Sequence, residues 1–159
     1  MEEALRKTMR CWASGVVLVT TVLDGKWFGM TVSSFSVVTL DPPIVLVSLF
    51  KESLTFKAIR KSKVLGISIL GEEHVEISKI FGHPGNSMEK RFKNLPFEEF
   101  KTGVPLLHDA LSWMDCEVLQ IKEIATHYVI GAKVLETGQR LKGGKPLLYF
   151  NRDYRRMNL

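Results

Sequence analysis

Apolar and polar positions along the chain group into runs of strand length, separated by short turn signals. β-Branched and apolar residues dominate each run, which is typical of β-strands. Asp24 and Gly25 separate the first two runs and tolerate the positive φ angles of a tight hairpin turn. The run at 44–50 is so continuously apolar that we expect both of its faces to be buried. The predicted strands are 15–22, 29–43, 44–50, 63–70, 111–124, 126–139 and 146–154.

Segments with helical character lie among these strands. Residues 2–12 and 72–81 have helical patterns, and Ser53 is placed to cap a helix that continues to residue 62. The polar segment 83–103 is expected to be a loop with one helical turn. Strand-rich blocks on both sides of short helices predict a mainly β fold with short helices, an antiparallel and closed or nearly closed barrel with helices on its rim.

Length and composition fit one globular domain that spans residues 1–159, with 45% apolar and 25% charged residues. No apolar run approaches the roughly 20 residues that a membrane-spanning helix needs. The N-terminus carries charges of both signs and lacks the apolar region of a secretory signal. We therefore expect a cytoplasmic protein with no membrane partner.

Several familiar kinds of site are missing from the sequence. Cys11 and Cys116 show no CxxC pairing and no histidine at ligand spacing, so we expect no metal site and expect both thiols to be buried. GxGxxG, GxxxxGK[ST], HExxH and GxSxG motifs are absent. The net charge of +5 favours an anionic partner such as a phosphorylated cofactor, an acidic surface or nucleic acid. The basic residues are spread as on a solvated face, so no nucleic-acid partner is expected.

The stretch 29–43, "GMTVSSFSVVTLDPP", holds more hydroxyl groups than a strand that only fills a core would need. Its hydroxyl side chains are Thr31, Ser33, Ser34, Ser36 and Thr39. Short hydroxyl side chains let a backbone approach a ligand closely and lose little entropy on ordering. The stretch is therefore either a strand that contacts a ligand or a solvent-exposed edge strand.

The block 29–70 resembles the short-chain flavin reductase family, in which a TVSSF-type strand, a DPP turn, a VSL-type strand and an S-x-T helix start follow at this spacing. The resemblance continues through "KRF" (90–92), "GVPLLHDALSWMDCEV" (103–118), "THYVIGAKV" (126–134) and "PLLYFNRDYRRM" (146–157), and so covers nearly the whole chain. It implies an antiparallel, Greek-key-like FMN-binding split β-barrel. Such proteins are usually homodimers that reduce flavin with NADH or NADPH. The resemblance does not decide between FMN and FAD as the flavin.

The resemblance also implies which segments bind the cofactor. The strand from Gly29 would flank the flavin ring and meet the ribityl chain, and the end of strand 44–50 would contact the same ligand. The helix capped by Ser53 would hold the phosphate with its free amides, and Arg91 would pair with phosphate oxygens. The predicted set is Gly29, Met30, Thr31, Val32, Ser33, Ser34, Val47, Ser48, Leu49, Phe50, Ser53, Leu54, Thr55, Arg91, Phe92, Tyr149 and Tyr154.

Structural roles are the alternative for these residues. Ser53 could be only a helix cap, Arg91 only a surface charge, and the serines only part of a wet edge. Tyr149 and Tyr154 could equally form core or dimer contacts.

His127 is the predicted catalytic residue, and a structural role in its strand is the alternative. In the family a Gly-Asp-His segment commonly precedes this strand, and the histidine lies near the nicotinamide side of the flavin. Here Ala125 and Thr126 replace the Gly and Asp, so a role that needs the aspartate is not expected. The tail also departs from the family, since Asn151 and Arg152 stand where Arg-Gly often follows the Phe.

The resemblance implies a modest mechanism. Hydride passes from nicotinamide C4 to flavin N5, which requires stacked rings and stabilisation of charge at the N1 and C2 edge, with no dedicated acid or base. Reduced flavin would then serve a partner monooxygenase or another acceptor. Two alternatives are an FMN-holding electron-transfer or ferric reductase protein of the same fold, and a non-catalytic flavin-binding module.

Overall fold

The computed structural model describes residues 1–140 and 143–157. Its helices are α1 (Glu2–Met9), α2 (Leu54–Ser62), α3 (Val75–Gly82) and α4 (Met88–Phe92), with a 3-10 turn at Glu72–His74 before α3. Its strands are β1 (Ser14–Gly15), β2 (Val17–Leu23), β3 (Lys26–Val32), β4 (Phe35–Leu40), β5 (Pro43–Phe50), β6 (Val64–Ile69), β7 (Phe97–Glu99), β8 (Pro105–Leu107), β9 (Ser112–Ile124), β10 (His127–Gln139), β11 (Leu148–Phe150) and β12 (Asp153–Arg155). The predicted mainly β, antiparallel fold with short helices is confirmed.

The main sheet has seven antiparallel strands in the order β3-β2-β6-β9-β10-β5-β4. Although β3 and β4 lie at opposite ends of this order, only Ser33 and Ser34 separate them in the chain. The extended chain from Val32 to Phe35 covers no more than about 11 Å. The sheet must therefore curl until its two end strands are neighbours in space.

The predicted hairpin at Asp24 and Gly25 is confirmed. Both residues have positive φ, 51° and 71°, and they join β2 to β3 with Leu23 opposite Lys26. Two consecutive positive φ angles are the requirement of the type I′ turn, which an Asp-Gly pair meets at low cost.

The prediction of one strand over 29–43 is wrong, because the chain leaves the ladder at Ser33–Ser34. The Ser34 hydroxyl donates to the carbonyl oxygen of Ser48 at 2.7 Å and accepts from the Ser48 amide at 3.2 Å. The Ser34 side chain thus makes the hydrogen bonds to Ser48 that a neighbouring strand would otherwise make to β5. The backbone at Ser34 is therefore free to change direction into β4. One predicted strand therefore becomes both end strands of the sheet.

The prediction that both faces of β5 are buried is also wrong. Val45, Val47 and Leu49 are buried, whereas the alternating residues Ile44 and Leu46 are only half-buried. Successive side chains of a strand point to opposite faces, so β5 covers the core with one face only. Its neighbour β4 carries exposed apolar side chains at Val37, Val38 and Leu40.

Two clusters of buried side chains lie on the two faces of β2. Val17 and Val19 belong to one cluster, which includes Phe56 and Ile59 of α2. Leu18, together with Val16 just before β2, belongs to the other, which includes Phe81 of α3. The alternation of side chains along β2 thus anchors both helices to the same strand.

Smaller differences concern the ends of the chain and the segment 83–103. The N-terminal helix stops at Met9, and the segment 83–103 contains β7 as well as the predicted helical turn. The tail forms two short strands, because Asn151 and Arg152 take positive φ angles of 51° and 65° and turn the chain. Cys116 is buried as predicted, but Cys11 is exposed. Among the described residues, no helix combines the length and apolar character that crossing a membrane requires.

Candidate functional site

Two neighbouring clefts lie where β3, α2, α3 and the C-terminal strands meet. The main cleft has a volume of about 310 Å³ and the side cleft about 190 Å³. Thr31 and Gly82 line both, so the two clefts are adjacent. The predicted site residues in the main cleft are Met30, Thr31, Phe50, Ser53, Leu54, Thr55 and Arg91, and those in the side cleft are Thr31, Val32, Ser33, Tyr149 and Tyr154.

Helix α2 points its N-terminus into the main cleft. Ser53 caps the helix, with its hydroxyl accepting from the Phe56 amide at 3.2 Å. The amides of Leu54 and Thr55 belong to the first turn, which has no intrahelical acceptors for its N–H groups. These amides and the positive end of the helix dipole suit an anion.

Thr55 has a hydroxyl group that the described residues leave without a hydrogen-bond partner. The residue is only 1% exposed, and its Oγ1 finds neither a donor nor an acceptor there. Burying an unpaired hydroxyl costs roughly 1–3 kcal/mol, so folded proteins rarely keep one without a use. Thr55 also lines the main cleft, so its hydroxyl is a candidate donor to a ligand oxygen there.

Arg91 lies at the base of the main cleft and is 7% exposed. Its Nη1 donates to the Gly29 carbonyl at 2.6 Å, its Nη2 to the His83 carbonyl at 3.0 Å and its Nε to the Asn86 carbonyl at 3.2 Å. No carboxylate within the described ranges pairs with it. Burial lowers the pKa of Arg91.

The guanidinium of Arg91 therefore has both a structural and an electrostatic function. A guanidinium has five N–H groups, of which three hold backbone carbonyls here and two are left for a ligand. A buried positive charge without a counter-charge is costly, and an anion in the main cleft would offset it. The alternative of a mere surface charge is wrong for this residue, which is buried.

Hydroxyl groups connect β3, α3 and the tail between the two clefts. Thr31 donates to the Ser78 carbonyl at 2.8 Å, and the Ser78 hydroxyl lies 2.7 Å from the Tyr154 hydroxyl. Tyr149 packs edge-on against Tyr154, with 5.6 Å between ring centroids. The tail is thereby fixed as a wall of the side cleft.

Six predicted site residues do not line the clefts. Val47 and Leu49 are buried in the core, each 1% exposed, and Ser48 is held by the Ser34 hydroxyl. Gly29 lies beneath the main cleft, where a Cβ atom would come within 2.9 Å of Phe81. Phe92 packs among aromatic side chains, 5.0 Å from Phe81 between ring centroids. The side chains of these residues serve the fold, and their binding role stays a prediction.

His127 is exposed at the start of β10, outside the lining of both clefts. Its Nδ1 lies 2.9 Å from the Thr126 hydroxyl, and its ring centroid lies 5.8 Å from that of Phe50, which lines the main cleft. The histidine is therefore next to the rim and accessible to a second substrate. Its catalytic role stays a prediction.

Sequence reasoning missed the far wall of the main cleft. That wall comes from the end of α3 and the segment after it, with Phe81, Gly82, Pro84, Asn86 and Met88. The length and polarity of segment 83–103 had indicated a functional loop, but no motif identified which of its residues face a ligand.

Comparisons with known proteins give relatives that cover nearly the whole chain. The FMN reductase (NADH) RutF 2 of Rhizobium rhizogenes is 31% identical over 96% of this chain and 87% of its own length. The reductase component of 4-nitrophenol 4-monooxygenase/4-nitrocatechol 2-monooxygenase from Rhodococcus opacus is 34% identical over 91% of this chain and 75% of its own. A crystal structure from Haemophilus somnus 129PT, assigned as a flavin reductase, matches with a TM-score of 0.94 and 32% identity over 99% of each chain. The model of the flavin reductase-like domain matches residues 9–158. The chain therefore belongs to the flavin reductase-like domain family.

Proposed function

We propose that this protein is an NAD(P)H-dependent flavin reductase that transfers hydride from a nicotinamide cofactor to FMN. The observation that carries the proposal is the set of donors in the main cleft. Among the described residues the Thr55 hydroxyl has no hydrogen-bond partner and Arg91 has no counter-charge, and both residues line the main cleft together with the first turn of α2. A phosphate dianion would suit all three, and family membership supports the flavin phosphate as its source.

The other lining residues suit the remainder of the cofactor. Met30 and Val32 offer apolar surface, and Ser33 offers a hydroxyl for the ribityl chain. When bound, the flavin supplies the hydride-accepting ring, and the protein's part is to hold the two rings together and exclude water. Phe50 and His127 at the rim would position the nicotinamide.

Supply of reduced flavin to a partner monooxygenase belongs to the same proposal. The similarity to the reductase component of the 4-nitrophenol 4-monooxygenase/4-nitrocatechol 2-monooxygenase from Rhodococcus opacus supports it. We also propose that residues 1–159 form one flavin reductase-like domain, a split β-barrel, and that the protein is cytoplasmic. The family match over residues 9–158 and the curled sheet support the domain and the barrel.

A homodimer is the proposed assembly. Strand β4 ends the main sheet, and Val37, Val38 and Leu40 on it are 51%, 55% and 84% exposed. An exposed apolar edge strand is a liability that a second copy would cover. Light scattering behind gel filtration measures the mass, and a monomer at micromolar concentration would contradict this assembly.

The experiment that tests the activity is an anaerobic absorption measurement. Protein mixed with a little FMN should lose the visible flavin bands on addition of NADH or NADPH, faster than free FMN does. A protein that neither takes up FMN nor speeds the oxidation of either nicotinamide would refute the proposal. Flavin bands that survive desalting would favour the alternative of an FMN-holding electron-transfer or ferric reductase protein. Binding of FMN without bleaching would indicate a non-catalytic module.

A further inference from the structure

Ser78 is a buried polar residue to which the proposed function assigns no role. It lies on α3 and is 0% exposed, and Phe81 is the other buried residue of that helix. Alanine has a higher helix propensity than serine and buries no polar group, so burial alone would favour alanine at this position. The hydroxyl group of Ser78 therefore needs an explanation beyond the packing of α3.

The hydrogen bonds of Ser78 lead to two walls of the side cleft. Its carbonyl oxygen accepts from the Thr31 hydroxyl of β3 at 2.8 Å, and its own hydroxyl lies 2.7 Å from the Tyr154 hydroxyl of β12. A serine hydroxyl within a helix often bonds to a carbonyl of its own helix, whereas this one reaches a strand at the other end of the chain. Thr31 and Tyr154 line the side cleft, and Ser78 lines neither cleft.

The tail strands β11 and β12 have few other attachments. They form a three-stranded sheet with β1, which contributes only two residues. Their turn places Asn151 and Arg152 at positive φ, which is unfavourable for residues other than glycine. In the described part of the chain, the bond between Ser78 and Tyr154 is the one side-chain hydrogen bond that joins these two strands to another element. This bond therefore fixes the tail hairpin against α3.

The position of Tyr154 determines the position of Tyr149. The two residues lie opposite each other in the ladder between β11 and β12, and their rings pack edge-on with 5.6 Å between centroids. Tyr149 lines the side cleft and is 36% exposed, so it has fewer neighbours of its own to hold it. A movement of Tyr154 away from α3 would therefore move both rings and widen the side cleft.

We propose that Ser78 is a positioning residue of the flavin site, which acts on the bound flavin through Tyr154 and Thr31. This rests on the proposed flavin reductase function, in which Val32 and Ser33 of the side cleft contact the cofactor. Ser78 keeps the β3 wall and the tail wall at a fixed separation before the ligand arrives. Such preorganisation raises affinity, because less conformational freedom is lost on binding.

The test compares Ser78→Ala with Ser68→Ala in the full chain. Ser68 of β6 is the matched control, because it is also 0% exposed and its hydroxyl also makes a hydrogen bond, from the Leu107 amide at 3.1 Å. It lines neither cleft. Both variants lose a buried hydrogen bond, so the Tm of each should fall by roughly 2–8 °C. Fluorescence titration measures the dissociation constant for FMN, and steady-state kinetics measure kcat and KM for FMN.

The expected result is that Ser78→Ala raises the dissociation constant and KM for FMN about fivefold, with kcat within about twofold of the wild type. Ser68→Ala should keep the wild-type values of all three. Tyr154→Phe lacks the same hydrogen bond and should weaken FMN binding by the same factor. The double variant of Ser78 and Tyr154 should bind no more weakly than either single variant, because only one bond is lost in all three proteins.

Limited proteolysis measures the anchoring of the tail without flavin. Trypsin cleaves after arginine, and Arg152 is exposed in the tail turn. Cleavage there should be about fivefold faster in Ser78→Ala and in Tyr154→Phe than in the wild type, since the tail opens more often. Ser68→Ala should be cleaved there at the wild-type rate.

Three results would overturn the proposal. If Ser78→Ala loses stability but binds FMN with wild-type affinity, Ser78 serves the fold alone. If the losses of Ser78→Ala and Tyr154→Phe multiply in the double variant, the two residues act independently. If trypsin cleaves Ser78→Ala at the wild-type rate, the bond does not anchor the tail. A wild type that does not bind FMN would instead refute the proposed function, so the two failures are distinguishable.

Discussion

Replacement of Thr55 by valine should stabilise the free protein and weaken its binding of FMN. Valine has nearly the same size and shape as threonine but no hydroxyl. In the folded protein the Thr55 hydroxyl is buried at 1% exposure without a hydrogen-bond partner among the described residues. An unpaired buried hydroxyl costs roughly 1–3 kcal/mol, so its removal should raise the free energy of unfolding by about 1 kcal/mol.

The effect on binding has the opposite sign. If the Thr55 hydroxyl donates to a phosphate oxygen, the variant loses a hydrogen bond to a charged group, worth about 1.5–3 kcal/mol. The dissociation constant for FMN should then rise roughly tenfold to a hundredfold. The variant should therefore be more stable without ligand and should bind FMN more weakly. A general disturbance of the fold would lower both the stability and the affinity.

Thr20→Val is the matched control. Thr20 is 0% exposed, like Thr55 in the core region, but its hydroxyl donates to the Pro105 carbonyl. Its replacement removes the donor to that carbonyl, so the free energy of unfolding should fall by about 1–3 kcal/mol. The affinity for FMN per folded molecule should stay constant. The same substitution type therefore gives opposite changes in stability at the two positions.

Urea denaturation without flavin and quenching of FMN fluorescence measure the two quantities. An increase of 1 kcal/mol corresponds to a Tm about 2–4 °C higher for a chain of this length. A Thr55→Val protein that is less stable than the wild type and binds FMN with unchanged affinity would refute the reasoning, because the hydroxyl would then serve the fold alone.

Three further predictions concern the fold beneath the clefts. Ser34→Ala should lower the free energy of unfolding by about 1–3 kcal/mol, since both backbone groups of Ser48 lose the Ser34 hydroxyl as a partner. Urea denaturation measures this change, and an unchanged free energy of unfolding would contradict it. Arg91→Lys should lower the free energy of unfolding by about 2–3 kcal/mol, because three different guanidinium nitrogens hold the three carbonyls and a lysine side chain has one nitrogen; a Tm equal to that of the wild type would contradict this. Burial, with a smaller contribution from Asp115, raises the pKa of Cys116 from 9.0 to about 12. The unfolded chain therefore loses this proton first, and the free energy of unfolding should fall as pH rises from about 9 to about 12. Cys116→Ala should flatten that part of the stability profile, and parallel profiles of the two proteins would show that Cys116 does not contribute.

Local signals in the sequence were sufficient for the turn and for the cap of α2. Asp24 and Gly25 determine the first hairpin by their own conformational preferences, and Ser53 caps α2 as predicted. Such features depend on residues a few positions apart, which a single sequence displays directly.

The hydrogen bonding within the candidate site depends on residues far apart in the chain, and a single sequence does not display such partners. Ser34 and Thr55 are both hydroxyl residues of predicted site segments, yet one hydroxyl bridges to Ser48 and the other has no partner in the described part of the chain. The three carbonyls that hold Arg91 come from β3 and from the segment after α3. The resemblance to a family identified the neighbourhood of the site, but only the packing separates ligand-facing groups from groups that the fold uses.

The position of Ser33 and Ser34 between the two end strands of the main sheet affects how the protein takes up a ligand. A barrel hydrogen-bonded all the way round widens only by breaking a ladder between strands. Here β3 and β4 are the end strands of the sheet, and the covalent chain joins them at Ser33–Ser34. The seam between β3 and β4 can therefore open without loss of a pairing between strands of the main sheet. Met30, Thr31 and Ser33, which line the clefts, lie along this seam. We expect that a flat ring bound along this seam would contact the edge of β3, which no other strand of the main sheet covers on that side.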